Sequence, residues 1–236
     1  MRVALATVCY RERRLIGKFL KHVPSWVDTK LVLLSAKPWN GAELEDDGTG
    51  MAARRQGAIT VESAWTSEED QRNAGQELLS GYGYDWIIWL DPDEMLDNHN
   101  WDKLRRTLET SQADALVVEK QRVVWKDKEV SPCNDYQQLI AARPHLRFVD
   151  KRVIGSGYDV APVSLWHFSW AKTDEEVWNK ISHYSHAKDF DIKEWYEEVW
   201  LNPDRVVNLH PTTPETLGGL IDLELPRELK RLKLLP

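Results

Sequence analysis

The apolar residues in the first half of the chain fall into two patterns. Residues 3–8, 30–35 and 86–90 are continuously apolar at their centres, which is typical of strands covered on both faces. Residues 15–23 instead repeat their apolar positions every three or four residues, which predicts an amphipathic helix. A short strand near residue 60 and a helix over about 66–80 continue the series. This alternation predicts an α/β fold with a mostly parallel central sheet flanked by helices.

Beyond residue 112 the pattern changes. Residues 115–125, 139–142 and 146–149 predict strands with short polar connections, antiparallel or mixed with the main sheet. A capping box at 173–176 predicts the start of another helix. We therefore expect a smaller mixed sheet followed by C-terminal helices.

The composition indicates a soluble globular protein. Hydrophobic residues make up 42% of the chain and charged residues 29%, and no apolar run approaches the roughly 18 residues that span a bilayer. The formal net charge of -7 argues against nucleic acid as the main partner. Cys9 and Cys133 show neither a metal-type spacing nor a disulfide framework, so we expect a reduced, cytoplasmic protein. Twelve tryptophans favour a carbohydrate ligand, because flat apolar rings stack on sugars.

Two carboxylates follow the central apolar strand, in the Asp-x-Asp sequence formed by Asp91, Pro92 and Asp93. Pro92 stiffens the turn, and ligands of open α/β sheets gather at the carboxyl ends of the strands. Carboxylate oxygens at such a place suit Mg²⁺ or Mn²⁺ shared with substrate phosphates. The same residues are also typical of an ordinary turn, and the pattern leaves both interpretations open.

The order of these features resembles the GT-A-fold nucleotide-sugar glycosyltransferases, in particular the family 2-like group. The segments that carry the resemblance are 65–75 with its Arg-Asn pair, 85–94 with its Asp-x-Asp, and the Trp-His-x-Ser sequence at 166–169. The resemblance covers about residues 1–190. It implies a nucleotide-binding half over about 1–112 and an acceptor half over about 113–190, and it leaves 191–236 as a C-terminal helix and surface tail.

The resemblance implies a transferase that uses Mn²⁺ or Mg²⁺ to move a sugar from a UDP- or GDP-sugar to a glycan or other hydroxyl acceptor, with inversion at the anomeric carbon. The implied site residues are Asp91, Asp93 and His167 for the metal, Thr7, Val8 and Tyr10 for the base and ribose, and Arg72, Asn73 and Lys172 for the nucleotide and its phosphates. Lys180 is a further candidate phosphate contact. Simpler roles remain open: a core imidazole for His167, a helix-surface pair with Glu68 or Glu69 for Arg72, and surface positions for the lysines.

Inverting chemistry needs a carboxylate that takes the proton of the acceptor hydroxyl. Asp135, Asp159 and Glu94 are the candidates, and each is also compatible with an ordinary solvated acid. Trp166 and Trp170 are compatible with an acceptor platform or with the core.

One departure from the family pattern concerns the nucleotide. Relatives commonly place an acidic pair after the second strand, where this chain has residues 35–40 without a carboxylate. Glu43, Asp46 or Asp47 are possible substitutes in the loop that follows, and the base of the nucleotide stays undetermined.

Two other functions compete with this interpretation. A nucleotidyltransferase also combines a nucleotide, a metal and two carboxylates, but usually has a glycine-rich loop after its first strand, and residues 7–12 contain no glycine. A non-catalytic carbohydrate-binding protein would account for the tryptophans, although it would not need Asp91, Asp93 and Arg72 together.

Overall fold

The computed structural model describes residues 1–131, 137–155, 157–184, 186–203, 209–212 and 219–236. Its N-terminal half contains four parallel strands in the order β3-β2-β1-β4. Their bounds are β1 Val3–Cys9, β2 Thr29–Ser35, β3 Ile59–Ser63 and β4 Trp86–Trp89. Every residue of β1 and β4 is buried, as the continuous apolar runs predict. The predicted α/β fold with its parallel central sheet is confirmed.

Helices connect these strands. Their bounds are α1 Arg13–His22, α2 Thr49–Arg54, α3 Glu68–Ser80 and, after β4 and the two-residue strand β5 Glu94–Met95, α4 Asn98–Thr110. The buried stripe of α1 consists of Leu15, Ile16, Phe19 and Leu20, as its periodicity predicts. The sequence pattern did not indicate α2, because six residues are too few to show a helical period. Asp47 instead marks its start, since this carboxylate accepts hydrogen bonds from the Thr49 amide and hydroxyl.

The second half extends the same sheet with strands of both directions. Strand β8 lies antiparallel between β4 and β6, and β6 runs parallel to β11. The bounds are β6 Ala115–Trp125, β7 Lys128–Ser131, β8 Leu139–Ala142, β9 Phe148–Asp150, β10 Val153–Ile154 and β11 Tyr158–Trp170. Strands β9 and β10 form a separate two-stranded hairpin. Strand β11 is 13 residues long, and its register shifts between Ala161 and Ser164, which accommodates Pro162 within it.

The C-terminal region packs onto the domain rather than forming only a surface tail. It comprises α5 Asp174–His183, α6 Ile192–Trp195 with a π-helical turn over Tyr196–Trp200, β12 Gly219–Asp222 and α7 Arg227–Arg231. Strand β12 pairs with β7 at the sheet edge, and Leu225, Leu229 and Leu234 are buried in the main core. The expectation of a surface segment was therefore wrong for this part, because the basic residues between 227 and 233 obscured the buried leucines, of which only Leu229 lies within a helix.

Candidate functional site

A cavity of about 1480 Å³ opens at the carboxyl ends of β1 and β4. Its floor is the Asp-x-Asp segment with Glu94, and the end of β11 and one face of α5 form a wall. Pockets that hold small ligands and cofactors usually occupy about 300–1,000 Å³. This one therefore has room for two substrates side by side.

Asp91 is held by two arginines. Both of its carboxylate oxygens accept hydrogen bonds from Arg72, at 3.0 and 3.1 Å, and Arg152 approaches one of them at 3.4 Å. Arg72 also binds Glu68 one helical turn earlier, at 2.8 Å. Burial alone would lower the pKa of the Arg72 guanidinium, but Asp91 and Glu68 outweigh it and raise that pKa above its usual value. Arg72 therefore pairs with Glu68 of its own helix and reaches the Asp-x-Asp segment, but its side chain is fully buried and not at the helix surface, as the simpler role required. Its expected contact with the nucleotide or its phosphates stays a prediction.

Arg152 reaches the floor from the tip of the β9–β10 hairpin. Its guanidinium binds the two oxygens of Glu94 at 2.7 and 2.9 Å and donates to the Trp89 carbonyl at 2.5 Å. Glu94 is almost fully buried and also accepts from the Asp91 amide at 2.8 Å and from Gln138. A carboxylate with this many donors shapes the turn and anchors the hairpin. Among the three base candidates, Glu94 is therefore poorly placed to take a proton.

Asp93 lies between two cationic or potentially cationic side chains. Its Oδ2 is 3.0 Å from Lys180 Nζ, and its Oδ1 is 3.7 Å from His167 Nε2. Burial would raise the pKa of Asp93, but Lys180, His167 and Lys172 outweigh it and hold that pKa well below its usual range. Asp93 is therefore a buried anion at the floor of the cavity.

His167 lines this cavity and is about one-quarter exposed, so the interpretation as a sealed core imidazole was wrong. Its position follows from β11, where side chains alternate between the two faces. Its neighbours Trp166 and Phe168 are buried in the main core. Trp166 is thus a core residue that stacks on Arg122 at 3.8 Å, whereas Trp170 reaches the cavity wall.

A second ion pair crosses the cavity beside the first. Lys172 is nearly buried, and its Nζ lies 3.2 Å from both carboxylate oxygens of Glu12. Burial raises the pKa of Glu12, and Asp93 adds to this, while Lys172 and Lys180 act in the opposite direction. The preceding residue, Arg11, has φ of 52°. A left-handed backbone at a non-glycine residue is strained, and such strain concentrates at functional sites.

Only some of the remaining predicted site residues line the cavity. Val8 and Tyr10 line the cavity, while the Thr7 side chain is buried beneath it and its hydroxyl has no hydrogen-bond partner among the described residues. Asn73 exchanges two hydrogen bonds with the Phe148 backbone and so ties α3 to β9 away from the cavity. Asp159 pairs with Leu116 near the start of β6 and is exposed, at the opposite end of β11 from His167.

The remaining predictions concern acidic residues. Asp135 lies outside the described residues. Of the three acids that were expected to substitute for the missing pair after β2, Asp47 lines the cavity and accepts a hydrogen bond from the Arg13 amide at 3.2 Å.

The donor set suits a divalent ion at Asp93 and His167. Their 3.7 Å separation exceeds a hydrogen bond and matches two ligands that each lie about 2.1 Å from one ion. In the described part of the chain, no three His, Cys, Asp or Glu side chains gather closely enough to hold a metal by themselves. Mg²⁺-type ions commonly use one or two protein ligands together with substrate phosphates. Asp91 lies beside this pair with both oxygens engaged by Arg72.

Sequence reasoning missed Arg152 and Glu12. Arg152 lies in a polar turn that no motif marks. It contacts Glu94, 58 positions earlier in the chain, only because the β9–β10 hairpin folds back towards the cavity floor. Glu12 looked like one of several charged residues at the start of α1. The break in apolar pattern directly after β1 was the available signal, because strand ends form the ligand edge of such sheets.

Comparison with known proteins gives partial similarities. No protein-family model matches the chain. A stretch of 140 residues is 26% identical to "Endoribonuclease Dicer" of Gallus gallus, which covers 51% of this chain and only 7% of that protein.

The chain is also similar to solved structures. Glucosyl-3-phosphoglycerate synthase from Mycobacterium tuberculosis, in complex with Mn²⁺, UDP and glucosyl-3-phosphoglycerate, is 16% identical with a TM-score of 0.40 over 50% of this chain and 44% of that chain. S. aureus TarS 1-349 is 11% identical with a TM-score of 0.46 over 86% of this chain and 71% of that chain. CMP:2-keto-3-deoxy-manno-octonic acid synthetase with CTP is 11% identical with a TM-score of 0.38, over 61% and 75% respectively. Similarity at this level establishes no activity for this chain. None of the helices in the described ranges is long and apolar enough to cross a bilayer.

Proposed function

We propose that this protein is a metal-assisted glycosyltransferase that moves a sugar from a nucleoside-diphosphate donor, UDP- or GDP-linked, to an acceptor hydroxyl of a glycan or another molecule. One observation carries the proposal. Asp93 is a buried anion at the carboxyl end of the central strand, and His167 and Lys180 stand on either side of it in a cavity with room for both substrates.

The nucleoside has a suitable place at the end of β1. Val8, Tyr10 and Trp39 line that side of the cavity, and the Tyr10 hydroxyl accepts a hydrogen bond from the Leu44 amide at 2.9 Å. Among the described residues, the buried Trp39 Nε1 has no hydrogen-bond partner. The aromatic faces of Tyr10 and Trp39 are suited to packing against a base and its ribose.

In this proposal the diphosphate lies above Asp93. Lys172, Lys180 and Arg152 line the same part of the cavity and supply positive charge there. Asp93 and His167 would hold the metal ion, with Asp91 next to them. Such an ion stabilises the negative charge that develops on the departing diphosphate.

The transfer step is a single displacement in this proposal. The acceptor oxygen forms a bond to the anomeric carbon as the bond from that carbon to the phosphate oxygen breaks, and the electron pair leaves with the diphosphate. The proton of the acceptor hydroxyl passes to a carboxylate. The floor acids Asp91, Asp93 and Glu94 are each held by a cation, which makes them poor nucleophiles for a double displacement and favours inversion. Asp135 stays the candidate base.

A thermal-shift experiment with UDP and GDP, each with and without Mn²⁺, tests the proposal. A ligand at 100 times its Kd stabilises the folded state by about 2.7 kcal/mol, or about 5 to 10 °C in Tm for a chain of this size. We expect a metal-dependent shift with at least one nucleotide in the wild type, and its loss in Asp93→Asn. The matched control is Asp114→Asn, which changes an exposed aspartate outside the cavity.

Two results would contradict the proposal. One is a full metal-dependent shift in Asp93→Asn. The other is stabilisation by nucleoside triphosphates but not by diphosphates, which would favour the nucleotidyltransferase. With an active donor, the anomeric configuration of the product, followed by NMR, tests inversion directly.

A further inference from the structure

Lys180 donates a hydrogen bond to one oxygen of Asp93, the carboxylate that is proposed to bind the metal. Its Nζ lies 3.0 Å from Asp93 Oδ2 and 2.6 Å from Ser169 Oγ. The lysine stands on α5, whose Val177 and Ile181 pack into the tryptophan-rich cluster at the end of β11. The packed helix therefore places the base of the Lys180 side chain beside the cavity floor.

This arrangement brings two cations to one carboxylate. An ion held by Asp93 Oδ1 and His167 Nε2 would share Asp93 with the Lys180 ammonium. Like charges repel most strongly where protein replaces water, and the Asp93 side chain is only 7% exposed. The resident ammonium must therefore oppose the binding of a divalent ion as long as no other anion is present.

Lys180 is less buried than Lys172 and therefore has more room to change its contacts. Lys172 is 6% exposed and sits between both oxygens of Glu12. Both lysines line the cavity, but Lys180 is 20% exposed and has a hydroxyl as its second hydrogen-bond partner. The flexible lysine stem allows its charge to follow a nearby anion. A diphosphate in the cavity is such an anion.

We propose that Lys180 acts as a resident counter-ion that competes with the divalent ion for Asp93 in the nucleotide-free protein and moves to the donor's diphosphate when the ion binds. The inference rests on the proposed function and adds a positioning residue to it. Its consequence is that metal and nucleotide each strengthen the binding of the other. Such coupling is reciprocal by thermodynamic linkage.

Titration of the protein with Mn²⁺, followed by the electron paramagnetic resonance signal of the free ion, tests this inference without any turnover. Lys180→Met keeps the length of the side chain and removes its charge. Without nucleotide, we expect this variant to bind Mn²⁺ about tenfold more tightly than the wild type, within the usual range of coupling between sites. We also expect UDP or GDP to enhance Mn²⁺ binding much less in the variant than in the wild type.

Three further variants serve as controls. Lys180→Arg retains the charge and is expected to bind Mn²⁺ as the wild type does. Ser169→Ala removes a hydrogen bond that holds Lys180 at Asp93, so Mn²⁺ binding should tighten, but by less than in Lys180→Met, since the ammonium stays. This variant also covers the case in which Lys180→Met fails to fold. Lys193→Met removes an exposed lysine of α6 and should leave the affinity unchanged.

The outcomes separate this inference from the proposed function. If the wild type binds Mn²⁺ together with UDP or GDP, but Lys180→Met binds Mn²⁺ alone no more tightly, the role of Lys180 is overturned and the transferase proposal stands. If no form of the protein binds Mn²⁺ with either nucleotide, both fail. Tight Mn²⁺ binding in Lys180→Met with wild-type behaviour in Lys180→Arg supports the inference.

Discussion

Arg72 shows how a single buried charge supports the site. Its side chain is fully buried, and it joins Glu68 of its own helix to Asp91 of the cavity floor. Trp89 and Phe148 pack around the same guanidinium at 5.7 and 6.0 Å. Because Arg72 donates hydrogen bonds to both Asp91 oxygens, it sets the orientation of that carboxylate beside Asp93. Its role is therefore to position Asp91 as well as to stabilise the fold.

Loss of this charge should be costly. Arg72→Met leaves Asp91 and Glu68 without their shared partner, and we expect a loss of about 2 to 4 kcal/mol in the free energy of unfolding, since breaking a buried ion pair typically costs 3 to 5 kcal/mol and Asp91 is partly exposed. Urea denaturation measures it. Arg105→Met breaks an exposed pair with the same four-residue spacing and should cost less than about 1 kcal/mol. An equal loss in the free energy of unfolding for the two variants would show that the Arg72 ion pairs stabilise the fold no more than an exposed pair does.

At the scale of elements, the contact of α3 with the sheet decides where Arg72 points. The helix lies against β2 and β4 at Gly75, where an added Cβ would come within 2.6 Å of Leu33 and 2.8 Å of Trp89. Gln76 also binds the indole N–H of Trp89 at 3.0 Å. A glycine in the middle of a helix normally lowers its stability, so the close approach is what requires it here.

Two glycine-to-alanine changes separate helix propensity from packing. Gly75→Ala gains propensity but overfills the contact with the sheet, so the free energy of unfolding should fall by about 1 to 3 kcal/mol. Gly17→Ala lies in the interior of α1, where nothing stands within 4 Å of the added Cβ, and should raise that free energy by about 0.5 to 1 kcal/mol. Both are measured by urea denaturation. A stabilising Gly75→Ala would mean that α3 shifts away from the sheet at little cost.

At the scale of the whole molecule, the C-terminal segment contributes a titrating group to the cavity. His210 lines the wall, packs edge-on against Trp170 at 6.2 Å, and accepts the Thr212 amide at Nδ1, which requires the unprotonated ring nitrogen. Burial lowers the pKa of His210 to about 4, and the nearby His167, His186 and Lys180 act in the same direction. The folded state therefore favours the neutral imidazole.

Stability should depend on pH through this group. Because the folded-state pKa lies below the unfolded value of about 6.5, the unfolded chain takes up the proton first. The free energy of unfolding should then fall by about 2.5 kcal/mol as the pH drops from about 6.5 to 4. Asp93, whose pKa is lowered, loses its contribution only below about pH 4.

Urea denaturation at several pH values measures this dependence, and the comparison of wild type with His210→Gln isolates the part that belongs to His210. The variant should show a shallower loss between pH 6.5 and 4.5. Identical pH profiles would contradict the assignment, because the remaining titrating groups, including Glu12 with its raised pKa, are common to both proteins.

The sequence by itself determined the alternation of buried strands and amphipathic helices, the position of Asp91 and Asp93 at the end of the central strand, and the start of α5 at its capping box. These features are local: periodicity reports which side of an element is covered, and strand ends in a parallel sheet meet at one edge. Only the tertiary structure decided which charges meet there. Lys180 reaches Asp93 across 87 positions and Lys172 reaches Glu12 across 160, while Asn73, although next to Arg72, faces the β9 backbone. Contacts at such separations depend on how the hairpin and α5 fold back over the sheet, and no local pattern of polar and apolar residues encodes that path.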